Sequence, residues 1–185
     1  MSKGKLFVIS GASGVGKSTV LKQVMAVRKD LVFSVSATTR SPREGEVNGV
    51  HYHFVSREKF LEMIDKGEFL EYDEHNKTLY GTLYSAVSDA MKKGNVVLDV
   101  DPHGALNVRR IYPDATLIFI LPPSWEELER RLRARGDTSE EQIKLRLEQA
   151  EWEIKQAPLY DFRVINDQVE ACAEEILKMI AAKAD

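Results

Sequence analysis

The chain has little cysteine: Cys172 is the only one in 185 residues, so no internal disulfide can form. A reducing, cytoplasmic setting is the expectation. No cationic or histidine-bearing stretch surrounds Cys172, which reads as a small buried hydrophobe rather than a reactive thiol. Long apolar runs are missing too. None approaches the ~20 residues that cross a bilayer, and the five apolar or small residues before Gly11 are too few for a signal-peptide core. No membrane partner is expected. Charge of one sign is also absent: 26 basic against 29 acidic residues leave a net charge of −3. Nothing in that total points to nucleic acid, and any basic site must be local. His51, His53 and His75 lack the spacing of a metal site. There is no internal repeat and no low-complexity segment.

What is present is a globular composition, 43% hydrophobic and 30% charged. A chain of this size buries about 70% of its unfolded surface in one domain. Short apolar runs alternate with helical patterns. Leu6 to Ile9, Val96 to Val100, Leu117 to Leu121 and Phe162 to Ile165 read as four buried strands. Ser18 to Ala26 and Val169 to Ala182 read as helices. The alternation predicts an α/β fold with a parallel sheet flanked by helices. Two stretches depart from it. Residues 34–84 carry short alternating segments and a helix after Ser56, and predict a small mixed α/β insert. Residues 124–157 carry two capping-box starts, at Ser124 and Thr138, with a turn at Arg135-Gly136-Asp137. They predict a helical flap. The core is then 1–33, 85–123 and 158–185 of a single domain, 1–185.

Gly11-Ala12-Ser13-Gly14-Val15-Gly16-Lys17-Ser18 matches G-x-x-x-x-G-K-[ST] in full, with a strand before it and a helix after it. The glycines allow backbone N–H groups to wrap a phosphate chain, and the helix adds its positive end. Lys17 supplies a cation for the β- and γ-phosphates, and Ser18 a hydroxyl for Mg²⁺. Asp99 and Asp101 close the strand beside this loop. Either can hold Mg²⁺, directly or through water, while the other caps a turn made by Pro102 and Gly104. Asp101 is favoured. These residues predict a nucleoside triphosphate with Mg²⁺.

An acceptor phosphate needs a second anion clamp. Arg40 and Arg43 lie three apart on a loop stiffened by Pro42, and suit bidentate phosphate capture. Tyr52 and Tyr80 can add phenolic donors. Taken alone, such a pair is more often a solvated loop. The run Thr39-Arg40-Ser41-Pro42-Arg43-Glu44-Gly45-Glu46-Val47-Asn48-Gly49 is far more specific, and it is followed by Tyr52-His53-Phe54, Tyr80-Gly81-Thr82 and Asp99-Val100-Asp101. With the phosphate loop, this series resembles the guanylate kinase family from about Gly4 to Ile180.

The resemblance implies a P-loop core, a GMP-binding insert at 34–84 and a lid at 124–157. It implies ATP as donor, GMP and dGMP as acceptors, and Mg²⁺. It assigns the GMP phosphate to Arg40, Arg43, Tyr52 and Tyr80, and the guanine edge to Glu71. Ser36 and Thr82 match hydroxyls near the base, and Asp101 a position between guanine and metal. Arg131, Arg135 and Arg146 match lid arginines that act with Lys17 and Arg40 on the moving phosphoryl group, and Arg135 also serves ATP. Asn166 matches a position near adenine. Arg130 and Arg133 read instead as a solvated face paired with Glu127 and Glu129. One departure stands out: where the family reads Asp, apolar, Gln, Gly, this chain has Asp101-Pro102-His103-Gly104. The pattern fits a monomer or a homodimer.

Overall fold

The computed structural model describes residues 4–75, 77–134 and 139–184. Along the chain run β1 (Leu6–Gly11), α1 (Lys17–Val27), β2 (Val32–Phe33), β3 (Ala37–Thr38), β4 (His53–Phe54), α2 (Arg57–Asp65), β5 (Phe69–His75) and β6 (Thr78–Leu83). Then follow α3 (Tyr84–Lys93), β7 (Val96–Asp99), α4 (Pro102–Ile111), β8 (Thr116–Leu121), α5 (Trp125–Arg133), α6 (Glu140–Lys155), β9 (Phe162–Ile165) and α7 (Val169–Ala184). The strands form a parallel five-stranded sheet, order β2-β7-β1-β8-β9, and a separate mixed sheet, order β4-β3-β6-β5.

The parallel sheet has one strand more than the four expected. The addition is β2, two half-buried residues paired with Val96 and Val97, too short to leave a periodic signal. A second difference lies at Pro102 and Gly104, which open helix α4 rather than a turn. Proline is well suited to a first helical position, where its missing N–H would have no intrahelical partner.

The chain makes two compact units. One comprises Met1–Leu6, Asp30–Leu98 and His103–Ala115, and holds the mixed sheet. There β3 runs parallel to β4 and antiparallel to β6, which pairs antiparallel with β5. Helix α2 starts where Ser56 accepts the Lys59 N–H at 3.1 Å. Its Phe60 and Met63 pack with Ala37, Phe69 and Leu79 into a small core, and the Phe60 and Phe69 rings stack at 4.3 Å. A register shift between Phe69 and Glu71 leaves Phe69, Leu70 and Glu71 all buried, which strict alternation would not allow.

The other unit comprises Phe7–Lys29, Asp99–Pro102 and Thr116–Asp185. Its β1 and β8 are parallel and almost wholly buried, and α1 packs on α7, which buries Cys172, Ala173, Ile176 and Ile180. Ser124 caps α5 as expected, accepting the Glu127 N–H at 3.1 Å. The cap of α6 is Ser139, accepting from Gln142 at 3.3 Å, one residue later than the sequence pattern placed it. Thr138 lies outside the described residues.

Candidate active site

The glycine-rich loop leaves the buried end of β1 and turns into α1. Gly14 has φ 84° and Gly16 φ 92°, left-handed values that favour glycine. A Cβ on Gly14 would also meet Leu132 at 2.6 Å, and one on Gly16 would meet the Asn166 amide at 2.8 Å. The carbonyl of Val15 accepts from Asn166 Nδ2 at 2.8 Å and Arg131 Nη1 at 3.3 Å. Peptides are trans, so the Gly16 N–H points the opposite way, away from those two side chains. Together with the orphan N–H groups that begin α1, this makes an anion nest. Lys17 Nζ lies 2.5 Å from Asp99 Oδ1 and donates to the Val100 carbonyl at 3.2 Å. The lysine is thus held at the loop with its side chain 21% exposed.

Arg131 also donates to the Asn166 carbonyl at 3.0 Å and pairs with Glu127 at 2.7 Å. Arg130 shares Glu127, and the two guanidiniums, Arg130 first, hold that carboxyl at about 2. Arg133 pairs with Glu129 and Glu140, in line with its reading as a solvated, ion-paired face. Asn166 is only 2% exposed, and its Oδ1 lacks a hydrogen-bond partner among the described residues. Arg146 is half-buried on α6, Ser18 is exposed at the start of α1, and Asp101 is half-buried. Arg135 lies outside the described residues. Among those described, no group of three or more His, Cys, Asp or Glu could hold a metal. Ser18, Asp99 and Asp101 are hard oxygen donors suited to Mg²⁺, an ion that takes most of its ligands from phosphates and water.

In the mixed-sheet unit Arg40, Tyr52 and Tyr80 come together, and Glu71 pairs with Thr82, whereas Asp101, also expected near guanine, belongs to the other unit. Arg40 follows β3, where Thr38 and Thr39 tie the backbone to Leu79. Its guanidinium lies 5.6 Å from the Tyr52 ring centroid and 5.7 Å from that of Phe54, and Tyr52 meets Tyr80 edge-on at 6.0 Å. Glu46 accepts from both Arg40 terminal nitrogens, at 2.8 and 2.9 Å, and from the Arg43 N–H at 2.7 Å. That grip, Arg40 first, lowers the Glu46 carboxyl to about 2. Arg43 itself is exposed, and Ser36 is half-buried. Glu71 and Thr82 are register partners across β5 and β6. The Thr82 hydroxyl, fully buried, donates to Glu71 Oε1 at 2.5 Å, and Glu71 is 8% exposed.

Two residues escaped the sequence reading. Glu46 was visible only as part of the Arg-Glu-Gly-Glu run; an acid six residues after an arginine on a loop carries no periodic signal. Glu153 is 4% exposed and accepts the Ser13 N–H of the phosphate loop at 2.7 Å. Its signal was present: a charge standing on the apolar stripe of α6, Ile143, Leu147, Ala150. His103, in the departing segment, is exposed on α4.

A G-x-x-x-x-G-K-S loop at the end of a parallel strand, in a chain whose other unit carries Arg40 among aromatic rings and a buried Glu71, fits the class of P-loop nucleotide kinases. The comparisons narrow this. The family model described as guanylate kinase matches residues 3–183. A guanylate kinase of Thermus thermophilus is 49% identical over 182 residues, covering 98% of this chain and 82% of that one. One of Clostridioides difficile is 44% identical over 184 residues, covering 99% and 90%. The crystal structure of guanylate kinase from Anaplasma phagocytophilum aligns with a TM-score of 0.81 at 32% identity, over 99% of this chain and 87% of that one. The chain belongs to the guanylate kinase family and is an enzyme of phosphoryl transfer between ATP and GMP.

Proposed function

We propose that the γ-phosphoryl group of ATP passes to a phosphate oxygen of GMP or dGMP, giving ADP and GDP or dGDP. One P–O bond forms to the acceptor as the bond to the ADP bridging oxygen breaks. The GMP phosphate has a second pKa of about 6 and is largely a dianion at neutral pH, so no general base is needed. The barrier is repulsion between two polyanions, and the residues at hand act on it by charge and position. The loop from Gly11 to Ser18 would hold the donor phosphates, with Lys17 swinging from Asp99 to the transferring group. Mg²⁺, held by Ser18 and Asp101 in part through water, would neutralise phosphate charge. Arg131 and Arg146, with Arg135, would face the moving charge, and Asn166 the adenine.

On the acceptor side, Arg40, Arg43, Tyr52 and Tyr80 would clamp the GMP phosphate, with Ser36 near the base. The observation that carries the choice of base is the buried Glu71 anchored by Thr82. Guanine offers N1–H and N2–H on one edge, which a carboxylate accepts as a pair. Adenine presents a lone pair at N1 and is rejected. We place the enzyme in the cytoplasm; its single cysteine, Cys172, is a free buried thiol that suits a reducing compartment. The test is an acceptor panel: ATP with GMP, dGMP, AMP, UMP and ribose phosphate, products separated by chromatography. GDP and dGDP should form with equimolar ADP. Equal turnover of AMP, or ADP without a phosphorylated acceptor, would overturn the proposal.

A further inference from the structure

The peptide plane between Ala12 and Ser13 is held at both ends. The Ala12 carbonyl accepts the Val15 N–H at 3.0 Å, and the Ser13 N–H donates to Glu153 Oε2 at 2.7 Å. Three residues on, the plane between Val15 and Gly16 is held through its carbonyl by Asn166 and Arg131. The Gly14 amide lies between these two pins, and the Lys17 and Ser18 amides follow just beyond the second. Their directions follow from the φ and ψ angles that the pins set. Asn166 and Arg131 were anticipated as nucleotide contacts; Glu153 was not. It sits near the foot of α6, where Gln149 donates to its other oxygen at 3.1 Å.

We propose that Glu153 is a positioning residue for the donor: by fixing the 12–13 peptide it presets the phosphate loop and ties helix α6 to it. Glu153 does not touch the nucleotide in this role. It spends the Ser13 N–H on the protein, so that the neighbouring amides are ordered before ATP arrives. The inference rests on the reading of this loop as the ATP phosphate site. Freeing one peptide plane returns roughly the ordering cost of one residue to the binding step.

The experiment compares the parent with Glu153→Met, which keeps the stem and removes both acceptors, and Glu153→Gln, which keeps one. ATP and GMP affinities are measured separately by calorimetric titration, and hydrogen exchange at the Ser13 amide by NMR. Glu153→Met should weaken ATP about tenfold, or ~1.4 kcal/mol, with GMP affinity unchanged within about twofold and Ser13 exchange accelerated. Glu153→Gln should restore ATP affinity to within about threefold and re-protect Ser13. Parental ATP affinity in Glu153→Met, or equal losses for ATP and GMP that Gln does not restore, would overturn the role. A Ser13 amide unprotected in the parent would also overturn it. Failure of the underlying reading looks different: the parent would not bind ATP at all, while Ser13 stayed protected. If Glu153→Met does not fold, the Gln variant alone decides, since loss of ATP affinity with Ser13 still protected contradicts the proposal.

Discussion

Replacing Glu71 by glutamine changes one oxygen into an NH₂ group and almost nothing else in volume. Glu71 is 8% exposed, and its Oε1 takes the Thr82 hydroxyl at 2.5 Å. The glutamine has one carbonyl oxygen left for that hydroxyl and for two guanine donors. Whichever way the amide turns, one guanine N–H faces another N–H. The lost bond to a charged group is worth ~1.5–3 kcal/mol, and the unsatisfied buried donor adds ~1–3 kcal/mol. At 1.4 kcal/mol per decade the sum is a fall of about 10²- to 10⁴-fold in kcat/KM for GMP. Thr82→Val removes only the anchoring hydroxyl and should cost about fivefold, near 1 kcal/mol. Initial rates of ADP release, with GMP varied at saturating ATP and then the reverse, give both constants. The ATP KM should stay within about twofold, because Glu71 belongs to the mixed sheet and not to the phosphate loop. A Glu71→Gln enzyme that keeps its GMP kcat/KM within about threefold, with a parental melting curve, would refute the assignment of Glu71 to guanine.

Other outcomes follow from the same contacts. Phe60→Ala removes a fully buried ring stacked on Phe69, and should lower stability by about 3–5 kcal/mol in urea unfolding; a loss under ~1 kcal/mol would mean that the small core repacks. Glu46→Gln weakens the fork on Arg40, and should raise the GMP KM about tenfold with the ATP KM unmoved. The Glu153 carboxyl is raised above its ordinary 4.5, by burial first and also by Asp101, against Ser13, Gln149 and Lys17. A raised acid pKa favours the folded state below 4.5 and loses that contribution as pH climbs through the folded value. Glu153→Gln cannot ionise, so its melting temperature should gain on the parent from pH 4.5 upward; a difference flat with pH would contradict the shift.

Much of the fold, and the glycine-rich loop within it, could be read from residue order. The phosphate loop announced itself because its geometry is local: eight consecutive residues between a strand and a helix dictate the turn, and the two positive φ angles fall on Gly14 and Gly16. The long buried strands were legible for the same reason. What escaped was set by contacts distant in sequence. Strand β2 exists because two residues find Val96 and Val97, and Glu153 meets Ser13 across 140 positions. Glu71 could be suspected of a role only through the family resemblance, since its burial depends on an irregular register that no alternation pattern encodes. The α6 cap moved from Thr138 to Ser139 because Ser-x-x-Gln serves as well as Thr-x-x-Glu, a choice that spacing alone leaves open.

The account divides substrate recognition between two sets of residues, one around Lys17 and one around Arg40. Lys17→Met and Arg40→Met, each titrated separately with ATP and with GMP by calorimetry, address that division directly. Lys17→Met should lose ATP affinity and keep GMP affinity within about twofold, and Arg40→Met should do the reverse, each loss being tenfold or more, ~1.4 kcal/mol. A single variant that loses both ligands to the same degree while remaining folded would contradict it.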